Sequence, residues 1–402
     1  MIKSLYKIEN EILDNVTETK LSLVFDDFTI SGDKIIAESF ELNNSILDES
    51  EFKLGGCIVS QMNVSLINVS ENLSGKKVKV YIEQSYNTNI LYPSNELFPT
   101  TVLLPMTTIK SCTSCIFTGY VYSVKCENNR NIKKVIAFDD MYRLSQIYCK
   151  DWFYNWVYHR YEDSKPGQSI TVGELMNAIL DHVEIPTISF GLGNFFNMLK
   201  ELKFDYKLIE STINSKATLA DLFNACCELN ACFAIFNGSG DLKFKTLYDT
   251  PLITQDKANI STYSNLTFED YTMKPITLIS FPYSKDKTFK YGSSEKGSYY
   301  QSDNIITRCC TDIGEIVTAF HDNKSHNYIF NNVYVYRPYS ADIFGRYWIE
   351  AGDVVSIPTC YNDVTEVNSF VFTRTLKGIN GMTCTISAKG VEFLGKDELI
   401  NE

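Results

Sequence analysis

Phe344-Gly345-Arg346-Tyr347-Trp348-Ile349-Glu350-Ala351-Gly352-Asp353-Val354-Val355-Ser356-Ile357-Pro358 opens a run of short apolar segments near the end of the chain. Phe370-Val371-Phe372-Thr373-Arg374-Thr375-Leu376-Lys377-Gly378-Ile379 follows, then Met382-Thr383-Cys384-Thr385-Ile386-Ser387-Ala388 and Lys389-Gly390-Val391-Glu392-Phe393. Val371, Thr373 and Thr375 alternate with Phe370, Phe372, Arg374 and Leu376, the period of an antiparallel strand. Gly352-Asp353 and Asn380-Gly381 are turn formers of the kind that join such strands. The series reads as the end of a β-barrel. No acid–base or nucleophile constellation lies on it, and the expectation is that no catalytic domain follows.

Outward from that end, residues 251–402 read as one β-rich region, with further strands at 276–280, 328–330 and 333–336 and an exposed polar loop at 292–303. Residues 1–148 are also strand-rich, with strands expected at 21–25, 35–42, 62–66, 78–82, 117–124 and 133–140. Six strands with no long helix between them imply a sandwich or barrel. Pro93, Pro99 and Pro105 break this rhythm, so 84–105 reads as a long hairpin or loop. Its Tyr86, Ile90, Leu91, Tyr92, Leu97 and Phe98 are expected to dock on a neighbouring subunit, the alternative being a loop folded back on its own barrel.

Helices are confined to 149–250. Thr171-Val172-Gly173-Glu174 and Thr218-Leu219-Ala220-Asp221 each place a hydroxyl three residues before a carboxylate, the capping-box spacing, with Asp reaching back less well than Glu. Each opens a helix with one apolar stripe: Val172, Leu175, Met176 and Ile179, then Leu219, Leu222, Phe223 and Cys226. Residues 232–236, the turn Asn237-Gly238-Ser239-Gly240-Asp241 and residues 242–245 form a hairpin. Trp152-Phe153-Tyr154-Asn155-Trp156 leads into His159, and two readings stand for it: a sugar-stacking or subunit contact, or a linker helix packing Trp152, Trp156 and His159 on the barrel.

Composition narrows the function. The 402 residues are 44% hydrophobic, 13% aromatic and 21% charged, which is ordinary for a globular protein of several domains. A net charge of -12 argues against electrostatic capture of nucleic acid or of anionic membranes. No apolar run is long enough to cross a bilayer, and the early charges of Lys3, Lys7 and Glu9 do not suit a signal peptide, so assembly in a cytoplasm is expected. Of the twelve cysteines, Cys112-Thr113-Ser114-Cys115 is the one Cys-x-x-Cys, read as flanking a turn, while Cys226-Cys227 and Cys309-Cys310 are vicinal; all are expected to be packing residues without metal or disulfide. His159, His182, His321 and His326 lack metal-ligand spacing, and Gly191-Leu192-Gly193 lacks the third glycine of a nucleotide loop. Glu174 and Asp181, two helical turns apart, are the one carboxylate pair a hydrolase could use, and solvation is their expected role. No catalytic, cofactor-binding or metal-ligating residue is assigned.

The ordered features resemble the tail hub of tailed bacteriophages and prophages. The likeness runs from Ile36-Ala37-Glu38-Ser39-Phe40-Glu41-Leu42 and Leu54-Gly55-Gly56-Cys57-Ile58-Val59-Ser60-Gln61, through the helix and hairpin of 218–245, to Tyr347-Trp348-Ile349-Glu350-Ala351-Gly352-Asp353-Val354-Val355 and 370–379. It implies a β-rich α+β fold: two antiparallel β-barrel domains, 1–148 and 251–402, flanking a smaller α/β domain, 149–250. It also implies a non-enzymatic virion protein of the baseplate or tail tip, assembled in the host bacterial cytoplasm. Three copies would give six barrels in a pseudo-sixfold ring at the distal end of the tail tube. The partners implied are the distal tail or tail-tube ring, the tape-measure protein, and fibre, spike or receptor-binding proteins, with roles in host attachment and genome ejection. Many relatives continue into a peptidase, lysozyme-like or fibre region; this chain is expected to be the hub alone. Two other classes remain open: a cell-wall carbohydrate-binding surface protein and a tail-associated peptidoglycan hydrolase.

Overall fold

The computed structural model describes residues 16–47, 53–90, 106–127, 131–163, 170–186, 201–245, 258–259, 263–269, 271–273, 276–292, 298–314, 316–317, 336–358 and 366–389. The strands expected at 328–330 and 333–335, the segment 390–393, Gly191-Leu192-Gly193, His321 and His326 lie outside the described residues.

The largest element is one sheet of eleven strands. Across it lie Tyr263–Phe268, Tyr339–Phe344, Thr383–Ala388 and Thr373–Lys377, all from 251–402. Next come Glu41–Ser45, Gln61–Ile67, Ile132–Phe138, Met106–Cys126, Lys77–Ile90, Val16–Val24 and Thr29–Ser31, all from 1–148. The seam between the two sets is an antiparallel ladder of Glu41–Ser45 on Thr373–Lys377, in which Leu42 faces Leu376 and Asn44 faces Arg374. Among the described residues no closed barrel forms, so the expected pair of barrels is corrected to large antiparallel sheets. The physical reason lies at the seam. Each strand there meets its unpaired backbone groups with a strand of the other region rather than by curling back on its own.

Alternation places the core on one face. Met62, Val64 and Leu66 are buried, as are Val78, Val80 and Ile82 and, on the strand opposite, Val135 and Ala137. The segment 84–105 is corrected in part. Residues 84–90 continue a strand that pairs with Met106–Cys126 as far as Ile90 opposite Met106, and 91–105 lie outside the described residues. Strand Met106–Cys126 has two bulges: its ladder with Lys77–Ile90 passes over Ile116, and its ladder with Ile132–Phe138 passes over Tyr122.

In the middle, helices Val172–His182 and Leu219–Leu229 both open with reciprocal capping boxes, as their spacing predicts. The Asp reaches back as closely as the Glu: Thr218 N donates to Asp221 Oδ2 at 2.7 Å and Thr171 N to Glu174 Oε2 at 2.9 Å. The hairpin Phe233–Phe236 with Leu242–Lys245 also follows the sequence.

Four local expectations are corrected. The strand expected at 35–42 begins only at Glu41, after 3-10 turns at Gly32–Lys34 and Ala37–Ser39. Ser39 draws its segment out of the ladder by donating from Oγ to the Ile36 carbonyl (2.6 Å) and accepting from Ser65 N (2.8 Å). The expected loop at 292–303 contains the strand Ser298–Gln301, with Tyr300 and Ser302 buried. The strand expected across 370–379 breaks at Val371 and Phe372, so Glu366–Phe370 pairs with Val354–Pro358 in a separate sheet. Helix Lys150–Asp163 fully buries Phe153 and Val157 and packs Trp152 and Trp156 half-buried against the core, but His159 is exposed; Phe153 packs edge-on against Phe204.

Candidate functional site

Two buried polar joints hold the three sequence regions together. The first borders a cleft of about 210 Å³ lined from all three: Ser60, Cys115 and Ile116; Asn237 and Gly238; Tyr347, Glu350 and Arg374. Arg374 is 4% exposed. Its guanidinium donates to the carbonyls of Tyr347 (2.9 Å) and Ile349 (2.6 Å) and, across the seam, to Asn44 Oδ1. From the hairpin, Lys245 Nζ reaches Asp353 at 2.8 Å and Glu350 at 3.3 Å. Burial alone would raise the Glu350 carboxyl, but Lys245, Lys243 and Arg374 outweigh it and hold it below the ordinary range. The hairpin turn is wedged into the first bulge. Cys115 Sγ (3.0 Å) and Thr118 Oγ1 (2.7 Å) both donate to the Gly238 carbonyl. A Cβ on Gly238 would overlap the Cys115 carbonyl oxygen and lie 2.9 Å from Ile116 Cα, so only glycine fits.

The second joint surrounds Glu228 of helix Leu219–Leu229. Tyr300 Oη donates to Glu228 Oε1 at 2.5 Å and Asn304 Nδ2 to Oε2 at 2.8 Å, while Leu54 N donates to Tyr300 Oη at 3.5 Å. Burial pushes the Glu228 carboxyl up, opposed by the hydrogen bonds from Tyr300, Ser302 and Asn304. Beside it a Cβ on Gly55 would overlap the Cys227 and Cys232 carbonyl oxygens. Both joints join one strand or loop from each region.

A third buried acid, Asp139, ties strand to helix. Its carboxylate accepts from Ser60 N (2.9 Å) and Met141 N (3.1 Å). Burial pushes it up to about 7, against those same hydrogen bonds.

The residues singled out in the sequence do not converge. Glu174 closes its capping box and lies 3.7 Å from Arg160, while Asp181 is exposed. Trp152 and Trp156 lie side by side at 6.1 Å, with His182 5.4 Å from the first and the Arg160 guanidinium 5.6 Å over the second, so protein groups occupy ring faces a sugar would need. Cys112 and Cys115 sit within strand Met106–Cys126, not at a turn, and three-residue spacing on a strand points them to opposite faces. Burial pushes the thiols of Cys57, Cys226, Cys227 and Cys310 well up, so they are protonated packing groups. Cys126, by contrast, is exposed. Among the described residues no group of three or more His, Cys, Asp or Glu is placed to hold a metal, and no helix is long and apolar enough to cross a membrane.

Against known proteins, no family model matches the chain, and no curated protein matches it. Solved structures do. The chain is similar to tail proteins of phage type. A tail protein from Neisseria meningitidis MC58 aligns with a TM-score of 0.49 at 11% identity, covering 95% of this chain and 99% of that one. The 43 kDa tail protein of prophage MuSo2 from Shewanella oneidensis gives 0.47 at 9% identity, over 92% and 96%. A prophage tail protein from Listeria monocytogenes EGD-e gives 0.45 at 11% identity, over 96% and 99%.

Sequence reasoning did not single out Glu228 or Asp139 as functional. A signal existed for Arg374, a charged residue in the inward register of an apolar strand. None existed for Glu228, which is buried because all of its helix but Asp221 and Asn224 is enclosed.

Proposed function

We propose that the chain is the hub of a phage-type tail, a non-enzymatic virion protein that closes the distal end of the tail tube and links it to the baseplate or tail tip. The reading starts from the sequence resemblance. The observation that carries it is the seam of Glu41–Ser45 on Thr373–Lys377, which makes regions 1–148 and 251–402 one sheet. With both joints in place, each chain presents its two β-rich units, on either side of 149–250, in a fixed relation. Three such chains can close a cyclic ring of six units through heterologous contacts. On this reading its neighbours are the tube ring, the tape-measure protein and the fibre or receptor-binding proteins. Imaging of the tail tip tests it: three copies per tail are expected, and six copies, or one, would sink the proposal.

The ribbon formed by Lys77–Ile90 and Met106–Cys126 supplies a second test. Among the described residues its last four residue pairs, from Asn87 opposite Ile109 to Ile90 opposite Met106, have no further strand alongside. A two-stranded ribbon is marginal alone, so the ribbon with 91–105 is assigned to a contact with a neighbouring subunit. Replacing 91–105 by a short turn should leave a folded, soluble protein that fails to enter tails. Loss of folding would show that the segment belongs to the chain's own core.

A further inference from the structure

Of the two bulges in strand Met106–Cys126, one is explained within the chain. At Ile116 the bulge receives the Gly238 turn. At Tyr122 nothing comparable docks among the described residues, and the residue is 59% exposed. A bulge leaves one residue outside the ladder and re-aims its side chain. Here it sets the Tyr122 ring on the outer face of the sheet, 5.5 Å from Phe138 and 5.1 Å from Tyr142, the latter edge-on at 62°. Phe138 and Tyr142 stack on each other at 4.5 Å. The result is a small shelf of three rings packed on one another.

The rim of this shelf defines what it can hold. Its charged neighbours are engaged by other groups: Arg143 by Asp140 (2.9 Å) and the Val183 carbonyl (2.5 Å), while Lys77 and Arg143 each lie 5.8 Å from the adjacent Tyr120 ring. Next to Phe138 stands Gln61, its ladder partner, which donates from Nε2 to Asn63 Oδ1 at 2.8 Å; each amide keeps a further polar atom for an outside partner. The shelf is also small. With aromatic side chains at about 150–250 Å² each and mostly half-buried here, it offers roughly 200–300 Å². A stable protein interface needs about 800 Å² per partner. One exposed ring braced by two others, uncharged amides and an area of this size match the apolar face and hydroxyls of a sugar ring.

We propose that Tyr122, Phe138 and Tyr142, with Gln61 and Asn63, form a stacking ledge for a neutral oligosaccharide. The ledge is distinct from the Trp152 and Trp156 pair, and it does not depend on the tail-hub reading. Calorimetric titration of the full chain with cellohexaose, chitohexaose and maltohexaose tests it. At least one should bind in the millimolar range, and Tyr122→Ala should weaken that binding about tenfold while leaving thermal unfolding unchanged. Tyr148→Ala, which removes the 68%-exposed ring outside the ledge, should bind as the parent does. The proposal is overturned if none of the three sugars binds, if Tyr122→Ala binds as the parent does, or if Tyr148→Ala weakens binding equally. A change of sedimentation in Tyr122→Ala would also overturn it, because the face would then be a contact between copies of the chain.

Discussion

The joint at Arg374 and the joint at Glu228 each tie three parts of the chain together, yet one uses full charges beside a cleft and the other a sealed acid among neutral donors. Lys245, Glu350 and Asp353 keep side-chain exposures of 17%, 29% and 19%, so water and salt reach the first joint. Glu228, Tyr300 and Asn304 are 8%, 4% and 2% exposed, and the second joint is dry. The difference teaches that one fold can hold its parts by screened attraction in one place and by desolvated hydrogen bonds in another. The two should then fail under different conditions.

The largest effect is expected where backbone meets backbone. Gly238→Val pushes a side chain into the Cys115 carbonyl and should cost more than about 3 kcal/mol or prevent folding, read as a shift of the denaturant midpoint. Gly56→Ala, whose Cβ would meet nothing nearer than Asn224 Oδ1 at 3.7 Å, is the control and should change little. Equal losses at both positions would show that the wedge does not matter.

Next come the charged centres themselves. Arg374→Ala strands two buried carbonyls and Asn44 and removes a cation near Glu350 and Asp353, and should cost about 3–5 kcal/mol. Glu228→Leu leaves Tyr300 and Asn304 without their acceptor and should cost about 2–4 kcal/mol, while Glu228→Gln keeps one acceptor and should cost about 1 kcal/mol. Lys245→Ala should cost less, about 1–2 kcal/mol, and molar salt should shrink that loss but not the loss from Glu228→Leu. A salt-insensitive Lys245→Ala would erase the contrast between the joints.

The smallest effect is a slope. Asp139 rises from 3.8 to about 7 on folding, so its contribution is fully present below about pH 4 and is lost as pH rises through about 7. Stability of the parent relative to Asp139→Asn should therefore fall, by an amount on the order of 1–4 kcal/mol, between about pH 4 and about pH 8. Glu228 pulls the same way and is common to both proteins; Glu350, held low, matters only in more acid solution. Parallel pH profiles for the two proteins would show that Asp139 is not desolvated as described.

What could be read from the sequence was local. The capping boxes at Thr171 and Thr218, the turn at 237–241 and the turn at Gly352 depend on residues a few positions apart, and each stands where its spacing puts it. The seam could not be read, because Thr375 and its partner Asn43 are 332 positions apart and nothing in either strand names the other. The sealed joint hid for a related reason: Tyr300 and Ser302 sit in a stretch polar enough to read as a loop until Glu228 supplies the partner that buries it. On helix Lys150–Asp163 the aromatic stripe was real, but Phe153 and Val157, one position along from the tryptophans, face the core.

The seam also sets an order of events during synthesis. When Glu41–Ser45 leaves the ribosome, the strand that will cover its edge is more than three hundred residues from being made. At about 5–20 residues per second the edge waits on the order of tens of seconds. Through that interval Glu41–Ser45 is an open template for any extended segment nearby, including the same strand of a chain emerging from the next ribosome on the message. The finished sheet thus joins an early strand to a late one, and crowding of nascent chains, more than the stability of the folded protein, would govern how much of it is recovered intact.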